Sequence, residues 1–206
     1  MSGRSGFARR SVVQAADVGH SPTYPLFVLC GSSIPFVGAV NDREFGVSEP
    51  AVFQRLCRAL TDGGVPFVHT RHEPVFTSAE AAAVRGVSLH SGAKALILKA
   101  GDAMLLAVMP GDLALNSAAL RKHLKQRRLR FATKEEVKEL TGLEPGSIPP
   151  FGSLFGLPTI CDERLCENER INFNAGSHSD SFQIAYADYI AYERPEIAAL
   201  AKSFEK

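Results

Sequence analysis

Two apolar segments near the middle of the chain constrain its fold more than any other feature. Residues 93–98 and 103–109 are almost wholly apolar, and only a short run containing a glycine and an aspartate separates them. Apolar runs joined by so short a turn are typical of a β-hairpin. The sequence therefore predicts a pair of antiparallel strands, and the first of them reads as buried on both faces.

Helices and further strands surround this hairpin without a regular β-α-β alternation. Residues that commonly cap helices stand at Ser48, Thr77, Asn116 and Thr133, and the two threonines open capping boxes. Apolar patterns predict further helices at 188–192 and 196–204, and short strands at 65–69, 129–131, 157–161, 170–173 and 182–186. The predicted fold class is α+β, with a mixed, largely antiparallel sheet flanked by helices.

Length and composition fit one globular domain with an N-terminal extension. The chain has 206 residues, of which 45% are hydrophobic and 22% are charged. We assign residues 48–206 to the domain and residues 1–47 to a poorly specified extension. The net charge of +1 argues against a protein that coats nucleic acid, so no DNA partner is expected, but it allows a local basic patch.

The N-terminal residues bear on the compartment. Arg4, Arg9 and Arg10 precede the first acidic residue, Asp17, in a pattern faintly similar to a transit peptide. The apolar run at 24–40 is interrupted by prolines and glycines, and it falls short of the roughly 20 apolar residues that a membrane-spanning helix needs. The four cysteines form no C-x-x-C pair, which fits a reducing compartment. We expect a cytoplasmic protein with no membrane partner, and organellar import stays open.

Lys94 is the one charged residue in the first apolar run. An ammonium group in a strand buried on both faces costs free energy unless it is paired. Lys94 is therefore a candidate for binding an anionic or carbonyl-bearing ligand. The alternative is a lysine at the strand edge whose ammonium group reaches water.

A glycine-opened, proline-locked loop occupies residues 146–152. Its residues are Gly146, Ser147, Ile148, Pro149, Pro150, Phe151 and Gly152. The two prolines fix the chain, and the glycines permit backbone angles and close approaches that other residues resist. Convergent N–H groups of such a loop can bind a carbonyl oxygen as negative charge develops on it. A rigid surface turn is the alternative.

A polar turn of small residues at 174–181 presents an amide, hydroxyls and an imidazole between two apolar strands. His178 and Asp180 within it do not indicate a Ser-His-Asp hydrolase, because the chain has no G-x-S-x-G elbow. His69 and His72 form an H-x-x-H pair, but no third ligand is placed beside them. We therefore expect no metal and no cofactor.

Positive charge is concentrated between residues 121 and 138. The cationic residues there are Arg121, Lys122, Lys125, Arg127, Arg128, Arg130, Lys134 and Lys138, opposed only by Glu135 and Glu136. A solvated helix face is the default explanation of such a run. Phosphate contacts are the functional one.

Taken in order, these segments resemble a known family. They are HEPVFT at 72–77, Lys94 in its apolar strand, LRFA at 129–132 before a capped helix, GSIPPFG at 146–152 and NAGS at 174–177. Together they resemble the YbaK / prolyl-tRNA-synthetase-associated editing domain family, which includes free-standing trans-editing proteins. The resemblance covers residues 48–204, and residues 1–47 match nothing in the family pattern.

The resemblance implies a fold, an activity and a site. Members of the family are α+β units with a mixed, barrel-like sheet, and they hydrolyse mischarged aminoacyl-tRNA without a metal or a covalent nucleophile. Carried over by motif, the predicted catalytic residues are Lys94, Gly146 and Pro150. The predicted substrate-binding residues are His72, Phe76, Thr77, Ser147, Ile148, Pro149, Phe151, Gly152, Asn174, Ala175, Gly176 and Ser177.

The resemblance also implies partners, namely the acceptor end of a mischarged tRNA and an aminoacyl-tRNA synthetase. The candidate tRNA contacts are Arg121, Lys122, Lys125, Arg127 and Arg128. Some branches of the family have a histidine where this chain has Asn174, so their amino-acid preference is not carried over. We predict a trans-acting, metal-independent deacylase that positions a water. The alternative is a non-catalytic module of the same fold that binds tRNA, a nucleotide or a synthetase.

Overall fold

The computed structural model of the protein describes residues 51–204. These residues form five α-helices: α1 (Ala51–Asp62), α2 (Ser78–Arg85), α3 (Ser117–His123), α4 (Lys134–Thr141) and α5 (Tyr186–Glu193). They also form ten strands: β1 (Val68–Arg71), β2 (Ala93–Ala100), β3 (Ala103–Pro110), β4 (Leu113–Leu115), β5 (Leu129–Phe131), β6 (Thr159–Asp162), β7 (Arg170–Asn174), β8 (Asp180–Ala185), β9 (Glu196–Ala198) and β10 (Ala201–Ser203). The predicted extension, its arginines, the run at 24–40 and the cap at Ser48 lie outside the described residues.

The predicted hairpin is confirmed as the centre of the largest sheet. β2 and β3 pair antiparallel along their whole length, from Ala93 opposite Pro110 to Ala100 opposite Ala103. The strand order is β5-β2-β3-β6-β9. β5 is antiparallel to β2, whereas β6 runs parallel to β3 and β9 runs parallel to β6. The sheet is therefore mixed, as the sequence predicts.

A second sheet stands beside the start of β2. Its strand order is β1-β8-β7, with both pairings antiparallel. An isolated bridge between Gly92 and Asn172 connects β7 to the residue that precedes β2. β5 reaches only the far end of β2, at residues 98–100. One edge of β2 therefore stays open between β7 and β5.

Two apolar clusters pack on opposite faces of β2. Ala93 and Ile97 belong to the larger cluster, which includes Phe53 of α1. Leu98 and Ala100 belong to the smaller one. Because side chains alternate between the faces of a strand, burial on both sides makes the sequence of β2 read as a continuous apolar run.

The predicted helix caps at Thr77, Asn116 and Thr133 are confirmed. Thr77 and Thr133 each cap a helix through a reciprocal pair of hydrogen bonds with the glutamate three residues later. The side chain of Asn116 accepts a hydrogen bond from a backbone N–H in the first turn of α3. Gly86 and Gly142 end α2 and α4 in the left-handed conformation that glycine adopts most readily.

The predicted helix at 196–204 is wrong. The segment instead forms β9, which pairs with β6, and β10, which pairs with β4. Where the chain passes from β9 to β10, the backbone N–H groups of Leu200 and Ala201 donate hydrogen bonds to a buried carboxylate, that of Asp162 at the end of β6. Pairing with strands from elsewhere in the chain outweighs the helix propensity of this segment, because propensity is a weak preference that tertiary contacts override.

The α+β fold class is confirmed. Within residues 51–204 the strands form three sheets, of three, two and five strands, and these sheets do not close on one another. The described sheets therefore resemble the barrel-like sheet implied by the family resemblance only loosely. Helices in the same range lack the length and apolar character that crossing a membrane requires.

Candidate active site

A cavity of about 200 Å³ opens at the free edge of β2. Its walls come from the start of β2, from α2 and the residues before it, from the loop after α4 and from the end of β7. Six of the predicted site residues line it: Phe76, Thr77, Lys94, Gly146, Ile148 and Asn174. Segments that are far apart in the sequence thus meet at one place.

The open edge of β2 gives the cavity a hydrogen-bonding wall. On the side away from β3, the carbonyl oxygen of Ile97 accepts a hydrogen bond from the N–H of Ala132 at 2.9 Å. In an antiparallel strand the N–H and C=O of one residue point to the same side, and the side alternates along the chain. The N–H and C=O of Ala95 therefore point to the same edge as Ile97, where no described strand pairs with them.

The loop after α4 is held against the turn after β7. Gly146 has a φ of 93°, which favours glycine. Asn174 donates from Nδ2 to the carbonyl oxygen of Gly146 at 2.6 Å, and the N–H of Gly176 donates to the carbonyl oxygen of Ser147 at 3.0 Å. The N–H groups of Gly146 and Ile148 have no hydrogen-bond partner among the described residues. This loop is thus fixed while two of its donors remain available.

Arg85, the last residue of α2, also lines the cavity, and sequence reasoning missed it. Its Nε donates to the hydroxyl of Ser181 at 2.8 Å, and its Nη2 donates to Oδ1 of Asn174. The hydroxyl of Ser181 also lies 2.6 Å from Nε2 of His72. Burial lowers the pKa of Arg85 to about 10. Arg85 stands at the end of an alanine-rich helix, and no local sequence pattern marks it as a site residue, because its partners, Asn174 and Ser181, come from distant strands.

Lys94 lines the cavity, but its ammonium group has a partner in the protein. Nζ donates to the carbonyl oxygen of Leu113 at 2.5 Å and lies 5.6 Å from the centroid of the Phe204 ring. Burial lowers the pKa of Lys94, and the nearby carboxylate of Asp112 partly opposes that shift. The role of Lys94 in holding the substrate end stays a prediction.

The rim of the cavity carries an exposed aromatic ring. The side chain of Phe76 is 72% exposed, and its ring centroid lies 4.7 Å from that of His178. His178 is held in turn by a hydrogen bond between its Nδ1 and the carbonyl oxygen of Val75 at 2.9 Å. Thr77 follows Phe76 and caps α2. An exposed ring beside a cavity is a surface on which a flat ligand group can stack.

The last three residues of the predicted loop, Pro150, Phe151 and Gly152, do not line the cavity. Phe151 is fully buried and packs edge-on against Phe173 and Tyr189. The carbonyl oxygen of Pro150 accepts a hydrogen bond from the Tyr189 hydroxyl at 3.0 Å. A Cβ on Gly152 would lie 2.4 Å from Oγ1 of Thr159, so only glycine fits there. These three residues anchor the end of the loop in the core.

The other predicted residues outside the cavity lining belong to the same loop, to the 174–181 turn or, for His72, to the residues after β1: His72, Ser147, Pro149, Ala175, Gly176 and Ser177. Ser177 donates to Asp180 at 2.7 Å, and the other carboxylate oxygen of Asp180 lies 2.8 Å from Nε2 of His69. Asp180 therefore pairs with His69, whereas His178, two positions earlier, bonds to the carbonyl oxygen of Val75. Within residues 51–204, no group of three or more His, Cys, Asp or Glu side chains is arranged to hold a metal ion.

None of the predicted tRNA contacts lines the cavity. Arg127 and Arg128 line a surface groove together with Lys99 and Arg130. Arg121 and Lys122 belong to the last turn of α3, and Lys125 follows that helix with a φ of 53°. The structure thus separates a cavity from a basic surface at the turn of the β2–β3 hairpin.

Comparisons with known proteins agree on one family. The aminoacyl-tRNA editing domain matches residues 72–192. The multifunctional Ser/Thr-tRNA deacylase ProXp-y of Escherichia coli (strain K12) is 35% identical over 149 residues, which is 70% of this chain and 89% of that protein. A proline–tRNA ligase of Thermotoga neapolitana is 39% identical over 79 residues, which is 38% of this chain but only 14% of the ligase.

A solved structure extends the likeness to three dimensions. It is described as a candidate trans-editing enzyme for prolyl tRNA synthetase, and it superposes with a TM-score of 0.67 at 26% identity. The match covers 76% of this chain and 100% of that one. The chain belongs to the aminoacyl-tRNA editing domain family. The family and the enzyme class predicted from the sequence, an aminoacyl-tRNA hydrolase, are thereby confirmed.

Proposed function

We propose that this protein is a trans-acting deacylase that hydrolyses the ester between a wrongly attached amino acid and the 3′ end of its tRNA. The observation that carries the proposal is the cavity itself, whose lining combines Gly146 and Ile148, with their available N–H groups, and the open edge of β2. The likeness to a Ser/Thr-tRNA deacylase and to a candidate trans-editing enzyme supports it. Residues 48–206 would form the editing domain, and residues 1–47 an extension.

Hydrolysis of an aminoacyl ester requires few catalytic side chains. An aminoacyl ester is already activated, so hydrolysis chiefly requires a polarised carbonyl and a well-placed water. The N–H groups of Gly146 and Ile148 are suited to bind the carbonyl oxygen as negative charge develops on it. Among the described residues that line the cavity there is no histidine, carboxylate or cysteine. The ribose hydroxyl beside the ester is therefore the proposed carrier of the proton.

The size of the cavity favours a small aminoacyl group. Its volume of about 200 Å³ lies below the roughly 300–1,000 Å³ typical of sites for drug-sized ligands. Four alanines, Ala81, Ala82, Ala93 and Ala95, contribute to its lining, and the polar side chains of Ser88 and Asn172 lie among them. Serine, threonine and alanine are the amino acids that we propose to test first.

The remaining surfaces are suited to RNA. Bases in single-stranded RNA ends commonly stack on exposed aromatic side chains, and Phe76 offers such a ring at the cavity mouth. The groove with Arg127 and Arg128 is the proposed contact for acceptor-stem phosphates. A synthetase that supplies the mischarged tRNA is the proposed protein partner.

The test is release of amino acid from a panel of mischarged tRNAs by the full chain. We expect rapid deacylation of one or more small amino acids, and a loss of at least about tenfold in Lys94→Ala if Lys94 makes a charge-assisted contact with the substrate. Lys134→Ala, which changes an exposed lysine of α4, is the matched control and should keep full activity. If no tRNA is deacylated above the spontaneous rate while tRNA still binds, the protein is a non-catalytic binding module.

A further inference from the structure

Arg85 places a positive charge in the cavity without a negative charge beside it. Within residues 51–204 no carboxylate lies within ion-pair distance of its guanidinium, and desolvation is the cause of its lowered pKa. Both groups to which it donates, the Asn174 amide and the Ser181 hydroxyl, are neutral. A half-buried charge with only neutral partners raises the free energy of the folded state, because no ion pair offsets the loss of its hydration.

The guanidinium retains donors for a ligand. A guanidinium has five N–H donors in a planar fork. Arg85 uses one on Ser181 and one on Asn174, which leaves both N–H groups of Nη1 and one of Nη2 without a partner in the described part of the chain. A fork of this kind matches the two oxygens of a phosphate or carboxylate. The charge remains at neutral pH, since the pKa of about 10 lies well above it.

The chemical groups at the end of an aminoacyl-tRNA indicate which anion Arg85 would bind. The aminoacyl ester is neutral and the α-amine is cationic, so phosphodiesters are the anionic groups at the end of an aminoacyl-tRNA. We propose that Arg85 is a substrate-binding residue whose free N–H groups bind the phosphodiester of the terminal nucleotide while the ester lies against Gly146. This inference rests on the proposed function. It adds an anion site on α2 to the site predicted from the sequence.

Two other roles for Arg85 would give different effects when the residue is substituted. A guanidinium that stabilised the developing oxyanion would act on the ester itself, whether or not a phosphate is present. A guanidinium that only completed the end of α2 would be favoured by the helix dipole, and its loss would alter folding without regard to the substrate. A substrate that keeps the ester but has no phosphate separates these roles from phosphate binding.

The experiment compares two substrates of the full chain: the mischarged tRNA and aminoacyl-adenosine, which has the same ester and base without a phosphate. The variants are Arg85→Gln and Arg85→Lys, with Arg170→Gln as the control at the exposed, opposite end of β7. For the tRNA we expect Arg85→Gln to raise KM about tenfold with kcat nearly unchanged, since a charge-assisted hydrogen bond is removed. Arg85→Lys, which keeps the charge but not the planar fork, should have an affinity between those of Arg85→Gln and the natural protein. Arg170→Gln should match the natural protein.

For aminoacyl-adenosine, Arg85→Gln should equal the natural protein. An equal loss on both substrates would overturn the proposal, because Arg85 would then act on the ester or on the fold. Should the natural protein hydrolyse neither substrate, the proposed function fails, and binding of uncharged tRNA still decides the role of Arg85.

The salt dependence of tRNA binding is a second test. Because Arg85→Gln removes a single phosphate interaction, the slope of the logarithm of tRNA affinity against the logarithm of salt concentration should fall in magnitude by about 0.7. An unchanged slope and affinity would refute phosphate binding by Arg85.

Discussion

At the scale of single residues, the orientation of one amide organises the site. Oδ1 of Asn174 accepts from Arg85, so the NH₂ end must face the carbonyl oxygen of Gly146. The reversed amide would set a donor against the Arg85 donor and an acceptor against the Gly146 carbonyl. The carbonyl oxygen of Gly146 requires the same orientation by itself, so the hydrogen bond from Asn174 holds the loop, and the loop determines where its available N–H groups lie.

Asn174→Ala is expected to lower kcat for deacylation about tenfold and to change KM little. The variant removes the hydrogen bond to Gly146, so the loop loses a fixed position in the transition state more than it loses binding. Asn168→Ala is the control, since Asn168 donates to carbonyl oxygens of His90 and Leu165 outside the cavity lining. Steady-state kinetics on one mischarged tRNA measure both effects. An unchanged kcat would show that the loop needs no support from Asn174.

At the scale of elements, α4 leads into the loop: its last residue is Thr141, and its C-cap, Gly142, stands four residues before Gly146. The start of the helix is held by Glu136, whose carboxylate accepts from the N–H of Thr133 and forms two hydrogen bonds of 2.6 Å with Arg130 of β5. The contacts with Arg130 are the largest cause that lowers the pKa of Glu136, from 4.5 to about 2. One side chain thus joins the helix cap to the adjoining strand.

Glu136→Gln should make the stability difference from the natural protein depend on pH. A carboxyl group whose pKa is lower in the folded state contributes stability above its unfolded pKa, and that contribution is lost as the pH falls through its folded pKa. The difference in urea midpoint should therefore be full at pH 6 and above, and should shrink between about pH 4.5 and pH 2. A difference that is constant over this range would contradict the assignment.

At the scale of the whole molecule, the sequence predicts features that depend on neighbours along the chain better than features that depend on contacts between distant segments. The hairpin and the capping residues Thr77, Asn116 and Thr133 depend on neighbours in sequence, so the sequence alone predicts them. The meeting of Arg85 with Asn174 depends on strand pairing that no local pattern contains. The same holds for 196–204, whose residues form strands only because β4 and β6 are available to pair with them.

Asp162 should contribute strongly to the stability of this C-terminal segment. Its fully buried carboxylate accepts from the N–H groups of Leu200 and Ala201, at 2.8 and 2.7 Å, and from the N–H and Nε of Arg164, each at 3.1 Å. Asp162→Ala leaves these donors without an acceptor, and we expect it to lower the free energy of unfolding by roughly 2–4 kcal/mol.

Urea denaturation measures that loss, and Asp188→Ala on α5 is the control, expected within about 0.5 kcal/mol of the natural protein. Hydrogen exchange adds a spatial test. If the carboxylate anchors the segment, the amides of residues 200 and 201 should lose protection in Asp162→Ala, while those of β2 lose it only to the extent that global stability falls. Uniform loss of protection across the sheet would mean that β9 and β10 unfold only with the rest of the domain.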